Sequence, residues 1–186
     1  VRVTRAAVSA SESTTEFVYD ADDRLVAEID RYGPGVDPHD GAETVHRYDA
    51  NGNRTATISR NGWAVTHLDR IHPDATGEYY RDIRKSLGIV DGAGNGKLAS
   101  ALSASEIDQL LEKFTTHYEY DADNRLTATV DPMDGRVRYA YDSRGNRIQV
   151  QNERGLVERV YYDAENRVTH RVDGERYLTQ FHRDAN

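Results

Sequence analysis

The chain has 186 residues, 37% hydrophobic and 30% charged, with a net charge of −8, which leaves little apolar material for a thick two-layer core and excludes nucleic acid or an anionic membrane surface as the main partner. Cysteine is absent, excluding disulfides and thiolate metal sites, and no run approaches the roughly 18 apolar residues of a membrane span. Tyr is the main aromatic, with 12 against 3 Phe and 1 Trp, and a residue that buries its ring while keeping one end wet suits half-exposed sheets.

The first residues, "VRVTRAAVSASES", hold neither an initiator Met nor a secretory apolar core, so the chain is read as a piece of something longer. A Tyr-Asp pair then appears at Tyr19-Asp20, with Phe17 two places before it, "ADD" after it, and then Arg24 and renewed apolar alternation. Spacing of two puts Phe17 and Tyr19 on one strand face, and the polar triplet reads as a hairpin turn. "YGPGVDPHDG" (32–41) has two Pro and three Gly and reads as a surface loop. The frame returns with His46, Tyr48-Asp49, "ANGN" and Arg54.

Alternation in "WAVTHLD" reads as a further strand ending near Leu68-Asp69. The pattern then turns helical in "GEYYRDIRKSLGIV", with Tyr79, Ile83 and Leu87, and in "SASEIDQLLEKF", with Ile107, Leu110, Leu111 and Phe114; Ser103 and Glu106 form a capping box. Between them "DGAGNGKLASAL" (91–102) resembles an EF-hand calcium loop, with Asp91 at position 1, Asn95 at 5 and Gly96 at 6. Ala93 and Leu102 stand where the third and twelfth ligands belong. It is read as a degenerate helix–loop–helix, a weak calcium site at most, with Asp91 and Asn95 the ligands left. His67, Asp69, His72 and Asp74 are read as polar residues at a strand end, since no metal-binding frame surrounds them.

From residue 117 the frame is regular. Tyr120-Asp121, Tyr141-Asp142 and Tyr162-Asp163 stand 21 residues apart, and a further step reaches Arg183-Asp184. Tyr118, Tyr139, Val160 and Phe181 precede by two; Arg125, Arg147 and Arg167 follow the turns; "DPMDGR" and "NERG" close the units at the other end. Asp is expected to cap each turn's amides and the Arg to pair with it. Val137, Tyr139 and Tyr141 share a strand face opposite Arg136, Arg138 and Ala140, so neither face is wholly apolar and the sheet reads as a wall wetted on both sides.

Tyr-Asp, a short polar turn, Arg and an apolar residue at a period near 21 resemble the YD repeat of the RHS family, which includes bacterial polymorphic toxins, toxin-complex shells, wall-associated proteins and teneurins. The resemblance covers residues 1–69 and 118–186. It implies a mainly β fold: antiparallel hairpins forming part of a curled shell, here with YD repeats at 1–73, a small helical insertion at 74–116 and YD repeats at 117–186. It also implies a bacterial protein, secreted or at the cell surface, whose shell encloses a C-terminal toxin or effector domain. Self-cleaving members carry a Pro-x-Gly-Leu closing motif; here Gly155-Leu156 follows Glu153-Arg154, so no such residues carry over.

The residues expected to build the repeat are Tyr19, Asp20, Arg24, Tyr48, Asp49, Arg54, Tyr120, Asp121, Arg125, Tyr141, Asp142, Arg147, Tyr162, Asp163 and Arg167. No nucleophile–base or acid–base constellation stands out, so the segment is read as structural and not an enzyme, needing no cofactor. Its partners would be the rest of the same shell and the enclosed domain. The alternative is a carbohydrate- or cell-surface-binding module, in which Tyr118, Tyr139 and Tyr141 stack on glycans.

Overall fold

Period-two side chains separated by Asx turns make antiparallel hairpins, and that is how most of the chain folds. The structure is a computed structural model that describes residues 2–4, 14–31, 42–69 and 79–182. The loop expected at 32–41, the boundary expected at 73/74, His72, Asp74 and the Arg183-Asp184 copy lie outside those residues. The chain divides into two units, Val1–Thr116 and His117–Asn186.

The first unit holds strands β1 (Arg2–Thr4), β2 (Thr14–Tyr19), β3 (Leu25–Arg31), β4 (Glu43–Tyr48) and β5 (Arg54–Ile58), each paired antiparallel with the next. His46 is buried in it, its ring nitrogens 3.1 Å from Thr57 Oγ1 and 3.2 Å from Glu28 Oε1, so it bridges both neighbouring strands.

Helices follow: α1 (Arg60–His67), α2 (Tyr79–Ser86), a 3-10 turn at Ala99–Ala101, and α3 (Ala104–Glu112). The strand expected from "WAVTHLD" is therefore corrected to a helix. Ala64 and Val65 of α1 and Leu110 of α3 are fully buried together with Tyr80 and Ile89, and Trp63, Ile83, Leu87 and Phe114 pack around them. Gly62 lets α1 come this close: a Cβ there would meet Ile58 Cγ2 at 3.0 Å and Phe114 Cβ at 3.2 Å. Tertiary packing has overridden the local alternation. The capping box at α3 is present, with both Ser103 and Glu106 bonds made.

The second unit is built from β6 (Thr115–Tyr120), β7 (Leu126–Val130), β8 (Arg136–Tyr141), β9 (Arg147–Gln151), β10 (Val157–Tyr162), β11 (Val168–Val172) and β12 (Leu178–Gln180). Each pairs antiparallel with the next. From His117 on, Ala128 is the one buried residue among those described. This is a single layer held by hairpin contacts rather than by a core, as two-sided wetting predicted.

Candidate functional site

The recurring feature is the corner at which each hairpin turns. Among the described residues nine turns share one geometry, led by Asp20, Asp49, Asp91, Asp121, Asp131, Asp142, Asn152, Asp163 and Asp173. In each, the leading amide donates to the carbonyl four residues on (2.8–3.0 Å), and the amide three residues on donates back (2.9–3.3 Å). The leading side chain's Oδ1 accepts the amides two and four residues later; for Asp121 these are Asp123 and Arg125, both 3.0 Å. The fourth residue of every turn has positive φ, from 57° at Asp23 to 86° at Gly145, the left-handed place that Gly, Asn and Asp tolerate best. This is a type I turn closed by a left-handed residue, capped by its own first side chain.

The Tyr-Asp corners add two things to this frame, the first of which the Asp91 corner shares through its Asn95 side chain. First, Oδ2 of the Asp is taken by the side chain four residues on. Arg24, Arg125 and Arg167 supply Nε at 2.7, 2.8 and 2.7 Å. At Asp49 and Asp142 the partner is Asn53 or Asn146, each at 3.0 Å. The Arg expected to answer every Asp does so in those three copies only. Arg54 and Arg147 come one residue later and face Tyr48 and Tyr141 across the ladder, and the Arg147 guanidinium lies 5.7 Å from the Tyr139 ring centre. Second, the ladder is bulged immediately before Tyr19, Tyr48, Tyr120, Tyr141 and Tyr162. A bulge adds twist and bend on one strand, and here it recurs at one end of the hairpins.

The Tyr is the link between repeats. Tyr48 Oη donates to Leu25 O (2.7 Å), Tyr141 to Leu126 O (2.9 Å) and Tyr162 to Arg147 O (3.0 Å), each the carbonyl just after the preceding corner. Arg24 covers the ring of Tyr48 and Arg125 that of Tyr141, both 5.3 Å from the ring centre. Arg125 also donates to Asp142 O at 3.3 Å, Arg144 to Ala164 O at 2.9 Å, and Asn146 to Asn166 Oδ1 at 2.8 Å. Each corner thus grips its own Asp, the next Tyr or the next corner's backbone.

The charges respond to this. The Arg125 amide, the Arg125 guanidinium and the Asp123 amide hold the Asp121 carboxyl below the usual range, and Asp121 in turn raises Arg125. Asp20 and Asp163 are lowered the same way by Arg24 and Arg167; Asp49 and Asp142 are lowered first by the Asn53 and Asn146 side chains. These oxygens are committed to turn amides and guanidinium groups.

Tyr139 and Tyr141, two of the three tyrosines read as glycan contacts, carry an Arg over their rings; Tyr118 is half-buried opposite Thr129. Sequence reading passed over Tyr161, which is 42% exposed, stacks on His170 at 4.2 Å, and borders an open concavity of about 550 Å³ with Gln149 and Arg159. His67 stacks on Trp63 at 4.8 Å, and Asp69 is bonded to Arg84. Asp91 and Asn95 lie in a corner of the common type, with Asp91 Oδ1 accepting the Ala93 and Asn95 amides.

The RHS Repeat family model matches residues 120–157. Among solved structures, the crystal structure of TcdB2-TccC3-Cdc42 is similar at 16% identity and a TM-score of 0.47, over 84% of this chain and 6% of that one. TcdB2-TccC3 without its hypervariable C-terminal region is similar at 12% identity and a TM-score of 0.34, over 95% of this chain and 9% of that one. The chain therefore spans a small fraction of the length of either. No curated protein matches. The matched stretch contains the corners at Asp121, Asp131, Asp142 and Asn152 and the Arg125–Tyr141 link between them, so over residues 120–157 the chain is similar to the RHS repeat, as its Tyr-Asp spacing suggests.

Proposed function

We propose that this chain is a structural, non-catalytic segment of an RHS/YD-repeat shell in a larger bacterial protein, secreted or at the cell surface, whose wall encloses or presents a C-terminal toxin or effector domain. The observation that supports this most is the commitment of the repeat's polar atoms. The Asp carboxylates hold turns, Arg24 and Arg125 cover the next Tyr, and the hydroxyls of Tyr48, Tyr141 and Tyr162 bond the preceding strand, so these groups are spent on joining one hairpin to the next. Repeat arrays of this kind supply surface and enclosure rather than catalysis.

Limited proteolysis of the full-length polypeptide tests the reading. The domain beyond the wall is expected to resist protease while the repeats are intact, and to be digested once Tyr141 and Tyr162 are both replaced by Ala. Equal digestion with and without those substitutions would count against enclosure.

A second reading, glycan binding, is supported by Tyr161, whose exposed ring lies beside Gln149 and Arg159 in an open concavity. On a glycan array that reading predicts saturable binding lost in Y161A and kept in Y139F, since Tyr139 already lies under Arg147.

A further inference from the structure

The helical insertion has the order of an EF-hand, yet the atoms that would face an ion are turned to arginines and to the loop's own amides. Counted from Asp91, an EF-hand draws its ligands from positions 1, 3, 5, 7, 9 and 12, the seventh being a backbone carbonyl. Position 7 is Lys97, and its carbonyl accepts Nη1 of Arg84 at 2.7 Å. Position 1 is Asp91; its Oδ1 accepts the Ala93 and Asn95 amides at 2.9 and 3.0 Å, and its Oδ2 lies 3.9 Å from Nη2 of Arg81. Position 5, Asn95, turns its side chain onto the same carboxylate. Positions 3 and 12 are Ala93 and Leu102, which offer no side-chain oxygen.

Both arginines come from α2 at successive turns. Arg81 donates Nε to Gly96 O at 2.8 Å, and α2 lies so close that a Cβ on Gly96 would fall 1.8 Å from Arg81 O. Arg84 has no exposed surface. Besides Lys97 O it bonds Val65 O at 2.7 Å, Asp69 Oδ1 at 2.6 Å and Leu68 O, and Asp69 Oδ1 also accepts the Ala99 amide at 3.1 Å. One guanidinium thus closes the carbonyl end of α1 and the loop together. A cation at a helix C-terminus meets the negative end of the dipole, and a planar fork can serve several carbonyls at once.

We propose that Arg81 and Arg84 hold this loop in the role that a calcium ion has in an EF-hand, so that the insertion folds and stays closed without the metal. The ion's two tasks, neutralising the loop carboxylate and gathering backbone carbonyls, are both done by guanidinium groups built into α2. The order of helix, loop and helix is kept without a response to calcium.

Two measurements on the 186-residue chain test this. In the first, thermal melting of the helical signal is followed in EDTA and in millimolar calcium chloride; the midpoint is expected to be the same, and an upward shift with calcium would overturn the proposal. In the second, amide hydrogen exchange at residues 93–97 is compared between the unsubstituted chain and R81Q in EDTA. Exchange is expected to quicken in R81Q and to be partly restored in R81K, which keeps the charge without the fork. Unchanged exchange in R81Q would equally sink it. The calcium titration needs no variant, so the proposal stays exposed to refutation even if R81Q fails to fold.

Discussion

Asp142 shows how one side chain sets a corner. Its Oδ1 holds the amides of Arg144 and Asn146, and its Oδ2 holds the Asn146 side chain. Asn146 also reaches Asn166 of the next corner, so N146A breaks two half-exposed hydrogen bonds; it is expected to lower stability by about 0.5–1.5 kcal/mol in urea unfolding. Arg176 is the misfit among the fourth-place residues, with φ 73° on a residue that dislikes the left-handed region. R176G relieves that strain and is expected to raise stability by up to about 1 kcal/mol. The acids give a pH signature. Because the folded state lowers the affinity of Asp20, Asp49, Asp121, Asp142 and Asp163 for protons, their contribution is complete above the ordinary Asp value of about 3.9 and is lost as pH falls through the lower folded values. The melting midpoint should therefore be flat from neutral pH to about 5, with the loss from these Asp residues setting in below about 4.

At the scale of elements, hairpins and helices draw stability from different sources. The helices of the first unit have a core, and L110A should cost about 2–5 kcal/mol, read as loss of the far-ultraviolet helical signal at lower temperature. The α3 cap adds its own acid sensitivity. Lys97 first, and then the Ser103 amide and hydroxyl, hold Glu106 down at about 2, so the cap's contribution fades from about pH 4.5 downward by the same sign. The hairpins were legible in the sequence because Tyr-Asp, the turn residues and the period of 21 all specify one corner. Three details were not. The closing turns led by Asp131, Asn152 and Asp173 have the same corner geometry without the Tyr, a signal present only as Asx residues 10 places after the previous corner's. Asn53 and Asn146 were passed over for the Arg behind them, although the fourth place after Asp is where the partner must stand. Helix α1 was hidden because Gly62, Val65 and Thr66 are poor helix formers, and what makes it helical is burial of Ala64 and Val65 against α3, which no local pattern records.

At the scale of the whole molecule, the two units differ in kind: one is anchored by a helical core, the other is a single layer. In a single layer each hairpin depends on its neighbours, and the Tyr hydroxyl with the Arg over its ring supplies that dependence. Stability should then be distributed along the wall as a nearest-neighbour property. The direct test is residue-resolved hydrogen exchange on Y141F, which removes only the hydroxyl that reaches Leu126 O. Exchange is predicted to quicken at the preceding corner, residues 121–126, and to stay unchanged at the following one, residues 163–168. Quickening confined to Tyr141's own hairpin, or spread equally to both neighbours, would contradict the account.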